Sequence, residues 1–176
     1  MPPRLKSHER DLDLSDGLKL RLRPVRPEDK ESLIDLVERM SPEDVRMRFH
    51  ESTGTLSDSM AERLANVDQH HETAFVLVER DHADKAEIFG VVRVITDPKG
   101  EKGDYSVMVR SDMQGLGLGK YLMEQIIDHG RGRGIKDIVG EVTRANVSML
   151  TLCDELGFTR RKSPNDLATV EVHLRL

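Results

Sequence analysis

The sequence holds a single cysteine, Cys153, in 176 residues. No intrachain disulfide can form, and a reducing, cytoplasmic setting is the expectation. There is no tryptophan, and aromatic residues make up only 3% of the chain. The stacking platforms that read single-stranded RNA need more than that. There is no basic surplus, because 27 Lys and Arg stand against 32 Asp and Glu, giving a net charge of -5. A nucleic-acid partner is therefore not expected. No apolar run approaches the length of a membrane span, so no membrane partner is expected either. The opening "MPPRLKSHERDLDLSDG" lacks the apolar core of a secretory leader, and residues 1–16 read as a flexible tail. The seven histidines show no metal-ligand spacing. His70 and His71 are adjacent, and on an extended segment neighbours point to opposite sides, so no metal site is expected.

With 37% hydrophobic and 34% charged residues, the remainder reads as one globular domain over 17–176. "GLKLRLRPVR" alternates Leu18, Leu20 and Leu22 against polar partners, as a half-buried strand does. "PEDKESLIDLVERM" predicts a helix opened by Pro27, with Leu33, Leu36, Val37 and Met40 as its apolar stripe. "SPEDVRMRFH" predicts a short helix capped by Ser41, and "LSDSMAERLANV" a further one. "TAFVLVER" and "AEIFGVVRVITD" predict a hairpin, and "DYSVMVR" the next strand. A helix follows with Leu118, Leu122, Met123, Ile126 and Ile127 at helical spacing, ending at "GRGRG". Arg131 and Arg133 there suit a helix C-terminus, and surface solvation is their simplest role. "IKDIVGEV" predicts a strand, "ANVSMLTLCDELG" a helix with Gly157 past its end, and "TVEVHLRL" a last strand. Strands and helices alternate only in the second half. That order predicts an α/β (α+β) fold with a mixed, partly parallel sheet of six to seven strands flanked by helices.

The most informative stretch is "YSVMVRSDMQGLGLGK", where a strand runs into a helix through Gly115, Gly117 and Gly119. A phosphate loop of the G-x-x-x-x-G-K type fails, because Gln114 stands where its first glycine belongs. A G-x-G-x-x-G dinucleotide fingerprint fails on spacing and on its place in the chain. Two readings stay open: a loop that only lets the helix pack closely, and a Q-x-x-G-x-G turn of Gln114, Gly117 and Gly119. In the second, bare backbone lets a pyrophosphate reach unpaired N–H groups at the helix start.

Q-x-x-G-x-G at a strand-to-helix turn resembles the pyrophosphate-binding motif of the GNAT superfamily of acyl-CoA-dependent N-acetyltransferases. "NVSMLTLCDELGF", with Asn146 and Leu156-Gly157-Phe158, is similar to the superfamily's later signature. "RPVRPED", "MSPEDVRMRFH" and "NVDQHHETAFVLV" resemble the GNAT domain of bacterial Pat-type protein lysine acetyltransferases, which modify acyl-CoA synthetases. The resemblance runs from about residue 17 to 176. It implies a GNAT fold, acetyl-CoA as co-substrate, and direct transfer of the acetyl group to an amine, with a protein lysine favoured. Small-molecule amine acetylation and a non-catalytic acyl-CoA sensor are the alternatives.

The same resemblance implies roles. The cofactor would lie along Val107, Met108 and Val109, with its pyrophosphate at Gln114, Gly115, Leu116, Gly117, Leu118, Gly119 and Lys120, and Asn146 beside it. A backbone N–H of Met108 or Val109 would serve as oxyanion donor, although both also read as ordinary strand residues. The family's glutamate base falls on Asp104, which reads equally as a turn-end aspartate. Asp68, His70 and Glu141 are reserves on the substrate side. The position of the family's acid tyrosine holds Cys153, which also reads as a small core residue. Asn146 reads equally as a helix N-cap.

Overall fold

The computed structural model describes residues 9–41, 43, 56–82, 87–164 and 166–176. The helix expected from "SPEDVRMRFH" lies outside the described residues. Eight strands form one sheet in the order β1-β2-β3-β4-β5-β6-β8-β7. They are β1 (Arg10–Asp13), β2 (Lys19–Pro24), β3 (Glu72–Glu79), β4 (Ile88–Thr96), β5 (Lys102–Val109), β6 (Asp137–Thr143), β7 (Thr159–Lys162) and β8 (Thr169–Arg175). The α-helices among the described residues are α1 (Lys30–Glu38), α2 (Asp58–Ala65), α3 (Leu118–Gly132) and α4 (Val147–Leu156). No helix among them is long and apolar enough to cross a membrane.

The expected mixed α/β sheet is present, with two corrections. Among the described residues the strands number eight rather than six or seven, because "TRRK" supplies β7 at one edge and Arg10–Asp13 supplies β1 at the other. Residues 1–16 are not all tail, because Arg10–Asp13 pairs antiparallel with β2, from Arg10↔Leu22 to Asp13↔Lys19. Pairing with β2 and the packing of Leu12 against the core account for that second departure. Asp11 accepts from Arg21 at 3.0 Å across the two strands, a link no apolar pattern announces.

Every neighbouring pair of strands is antiparallel except β5 and β6. Helix α3 lies between those two in sequence, and a parallel pair needs such a crossover. Two cores fill the two faces. One joins Leu122, Met123, Ile126 and Ile127 of α3 to Phe75, Leu77, Val92 and Ile138. The other joins Leu33, Leu36 and Val37 of α1 to Val76, Val78 and Met108. β3 is covered on both faces, which is why "TAFVLV" is apolar without alternation. Arg23 and Asp29 are both buried and meet in a two-pronged ion pair at 2.8 Å, fixing the turn into α1.

Candidate active site

The site is a fork in the sheet. β5 and β6 pair only at Lys102↔Asp137, Gly103↔Ile138 and Asp104↔Val139. Beyond Asp104 both strands continue without pairing to each other, and a cleft of about 360 Å³ opens between them.

Pairing with β4 decides which backbone groups of β5 face the cleft. Asp97 N–H donates to the Lys102 carbonyl at 2.9 Å, and Arg110 N–H donates to the Phe89 carbonyl at 2.8 Å. The register between them is unbroken. Hydrogen-bonded pairs in an antiparallel ladder recur every second residue. Met108 therefore points its N–H at Val91, while Val107 and Val109 present theirs to the cleft. The Val109 carbonyl accepts from Gln114 Nε2 at 3.4 Å on that side. This corrects the expectation for Met108: its N–H is committed to β4, and the strand's open donors belong to Val107 and Val109.

Arg110 fixes the exit from β5, donating to Asp112 at 2.6 Å and to Glu87 at 2.9 Å. The glycine turn follows. Gly115 and Gly117 adopt φ of +81° and +79°, a left-handed conformation that side chains disfavour. Gly117 is the N-cap of α3, so the first N–H groups of that helix face the cleft without intrahelical partners. Gly119 is an ordinary helix residue. A Cβ there would meet Leu152 Cδ2 at 3.6 Å, which is normal contact. Two of the three glycines are thus demanded by conformation, and the third by neither conformation nor packing. Gln114, Gly115, Gly117, Leu118, Gly119 and Lys120 line the cleft, whereas the exposed Leu116 side chain lies outside it.

The opposite wall comes from α4. Asn146 lines the cleft and caps the helix, its Oδ1 accepting from Met149 N–H at 3.2 Å. Met149 and Leu152 line it too, three and six residues on, along one helix face. That spacing was legible in the sequence. Tyr105, Met113 and Ser148 also line the cleft and were not anticipated.

Asp104 stands where the fork opens, with Glu141 across it. The Asp104 carboxyl is raised above its ordinary pKa, first by desolvation, then by the charges of Glu141 and Glu171, against the pull of Lys102. Glu141 and Glu171 are directly paired across β6 and β8. Glu141 accepts from Ser163 Oγ at 3.3 Å and lines the cleft. Asp68 and His70 do not join it. Both are exposed in the turn before β3, where the Asp68 carboxylate accepts from the His70 N–H at 3.1 Å. Cys153 is wholly buried in the core, and burial pushes its thiol pKa up. It does not line the cleft and is not placed to meet a leaving thiolate. Arg131 pairs with Asp128 at 3.5 Å on the surface.

An acyl-CoA fits this arrangement. The open edge of β5 offers peptide-like hydrogen bonds, the α3 start offers N–H groups to a pyrophosphate, and apolar side chains line the walls. Residues 34–158 match the Acetyltransferase (GNAT) family. An acetyltransferase of Pseudomonas aeruginosa is 30% identical over 163 residues, covering 93% of this chain and 87% of its own. Among solved structures, the GNAT domain of S. lividans PAT aligns with a TM-score of 0.85 and 25% identity, over 97% of this chain and 98% of that one. Spermidine N-acetyltransferase from Vibrio cholerae, solved with CoA and spermine, shares the fold at a TM-score of 0.70 and 18% identity, over 89% and 95% of the chains. A forked sheet, a glycine turn feeding a helix start and a family match over most of the chain lead to one conclusion: this protein belongs to the GNAT family of N-acetyltransferases.

Proposed function

We propose that the protein transfers the acetyl group of acetyl-CoA to the side-chain amine of a protein lysine, with Asp104 as general base. The observation that carries the reading is the position of Asp104. It is the last β5 residue paired to β6, at the point where the fork opens.

A lysine with a pKa near 10.4 must shed its proton before it attacks, which costs about 4–5 kcal/mol at pH 7. A carboxylate with a raised pKa is a better proton acceptor than an ordinary one. Aspartate is one methylene shorter than the glutamate of Pat-type sequences, and a water relay spans the difference. Glu141 and Glu171 add negative charge around Asp104, which suits a cationic acceptor. Asp104 and Glu141 are exposed, so a lysine carried on another protein can approach them. The N–H groups of Val107 and Val109 suit the developing oxyanion and the pantetheine. The resemblance of "RPVRPED" and "NVDQHHETAFVLV" to Pat-type protein lysine acetyltransferases supports a protein acceptor.

The test is CoA release from acetyl-CoA with a purified acyl-CoA synthetase or with a panel of small amines, for wild type and Asp104→Asn. Release that requires the protein and falls about 10²-fold in the variant supports the reading. Release with a small amine alone moves the function to small-molecule acetylation.

A further inference from the structure

Side chains leave β5 alternately toward the two faces of the sheet. Tyr105, Val107 and Val109 pack on the core beneath α3, whereas Met108 packs with Leu33, Leu36 and Val37 of α1. Asp104 lies four residues from Met108 and shares its face. With Asp104 as base, the acyl end of a cofactor held at the glycine turn belongs on that α1 face, beside Met108. Met40, just past the end of α1, packs on the same core and lines the cleft with Met108.

Both chain neighbours of Met40 are tied down. Arg39 pairs with Asp35 at 3.2 Å and with Glu87 at 3.0 Å. Glu87 also takes Arg110, at the exit of β5, at 2.9 Å. The Arg110 guanidinium in turn lies 4.6 Å from the centre of the Phe89 ring. On the other side, the Ser41 N–H donates to Ser111 Oγ at 2.8 Å. These bonds run from the end of α1 to the end of β5. They hold the Met40 backbone at the cleft, while its unbranched side chain keeps three rotatable bonds.

We propose that Met40 and Met108 form an adaptable end wall for the acyl group, so that the protein also transfers propionyl and butyryl groups from their CoA thioesters. The proposal rests on the acetyl-transfer reading above and widens its donor class. The chemistry is the same for each donor. The amine nitrogen bonds to the thioester carbonyl carbon, and the C–S electron pair goes to sulfur. The proton that the amine sheds balances the thiolate charge. A rigid apolar pocket discriminates by about 10–200-fold for one methylene. Methionine is flexible and polarizable, and it takes up such a change by moving its own side chain. Met108 is buried and Met40 partly so, and an added methylene is therefore sheltered from water.

The measurement is kcat/KM for acetyl-, propionyl- and butyryl-CoA with a purified acyl-CoA synthetase as acceptor, beside the affinity of each thioester by calorimetry. Wild type is expected to use propionyl-CoA within about tenfold of acetyl-CoA. Met40→Ile keeps an apolar side chain but stiffens it, and the butyryl-to-acetyl ratio should fall at least about tenfold. Met40→Ala opens the wall, and the ratio should rise at least about threefold. Glu87→Gln removes the charge that Arg39 and Arg110 share, and it should move the ratio in the direction of Met40→Ala. Equal losses for all three donors in that variant would overturn the positioning role of Glu87. A wild type that uses propionyl-CoA more than about tenfold less well, or a ratio unmoved by both Met40 variants, would overturn the proposal and leave acetyl transfer standing. A wild type that turns over no amine would sink the acetyl-transfer reading, and the affinities would then judge the wall. Butyryl-CoA bound within about tenfold of acetyl-CoA, and more weakly by Met40→Ile, supports it, and any other pattern overturns it.

Discussion

The ring of Tyr105 lies against Gly140 so closely that a Cβ at that glycine would sit 2.4 Å from it. The contact falls one residue past the last β5–β6 pair on each strand. Side-chain packing and the opening of the sheet therefore meet at one point. Gly140→Ala is expected to destabilise the fold by about 1–3 kcal/mol through overpacking, read as a lower urea midpoint. Adding Tyr105→Ala should relieve the clash, so the double variant should be more stable than the sum of the singles. Strict additivity would show that the two residues do not meet.

The glycine turn makes a prediction with an internal control. Gly117→Val forces a β-branched residue to φ near +79° at the start of α3, and acetyl-CoA affinity should fall at least about tenfold. Gly119→Ala places a methyl in normal contact with Leu152 and should change affinity by less than about threefold. Calorimetry with acetyl-CoA measures both. Equal losses would mean that the turn acts by bulk rather than by conformation.

The raised Asp104 carboxyl gives the pH profile a sign. Desolvation contributes first, and Glu141 then adds a like charge that disfavours ionisation. Glu141→Gln removes that charge, so the acid limb of kcat/KM should move to lower pH. Lys102→Met removes an opposing charge, so the limb should move to higher pH. An acid limb that ignores both substitutions would assign it to another group.

Asp137 ties β6 to the C-terminal strand through His173 at 2.7 Å and Arg175 at 2.9 Å. These bonds, His173 first, hold its carboxyl below the ordinary value. A depressed carboxylate adds stability that is present above its unfolded pKa and is lost as pH falls through its folded pKa. Unfolding midpoints measured from neutral pH into the acid range should fall for the wild type. Asp137→Asn should be less stable at neutral pH and should lose less on acidification. Parallel curves would show that the pair contributes nothing.

Much of this protein is determined locally and is legible in its sequence. The alternation of β2, the helical spacing of α3 and the caps at Asn146 and Gly157 all follow from side-chain period and backbone preference. Gln114, Gly115 and Gly117 mark the turn because left-handed backbone and bare N–H groups are properties of a few consecutive residues. What only the tertiary structure decided depends on partners far apart in the chain. Which N–H groups of β5 face the cleft depends on its register with β4, and that turns Met108 away from the cleft and leaves Val109, the other expected donor, open to it together with Val107. Arg10–Asp13 is a strand through its ladder with β2 and the packing of Leu12 on the core, neither of which four residues announce by themselves. Tyr105 and Cys153, 48 positions apart, meet because the crossover through α3 lays β5 beside β6 and brings α4 over their fork. A one-dimensional period carries the faces of single elements, but not the register or the crossing of two, and the chemistry of this site is set by those crossings.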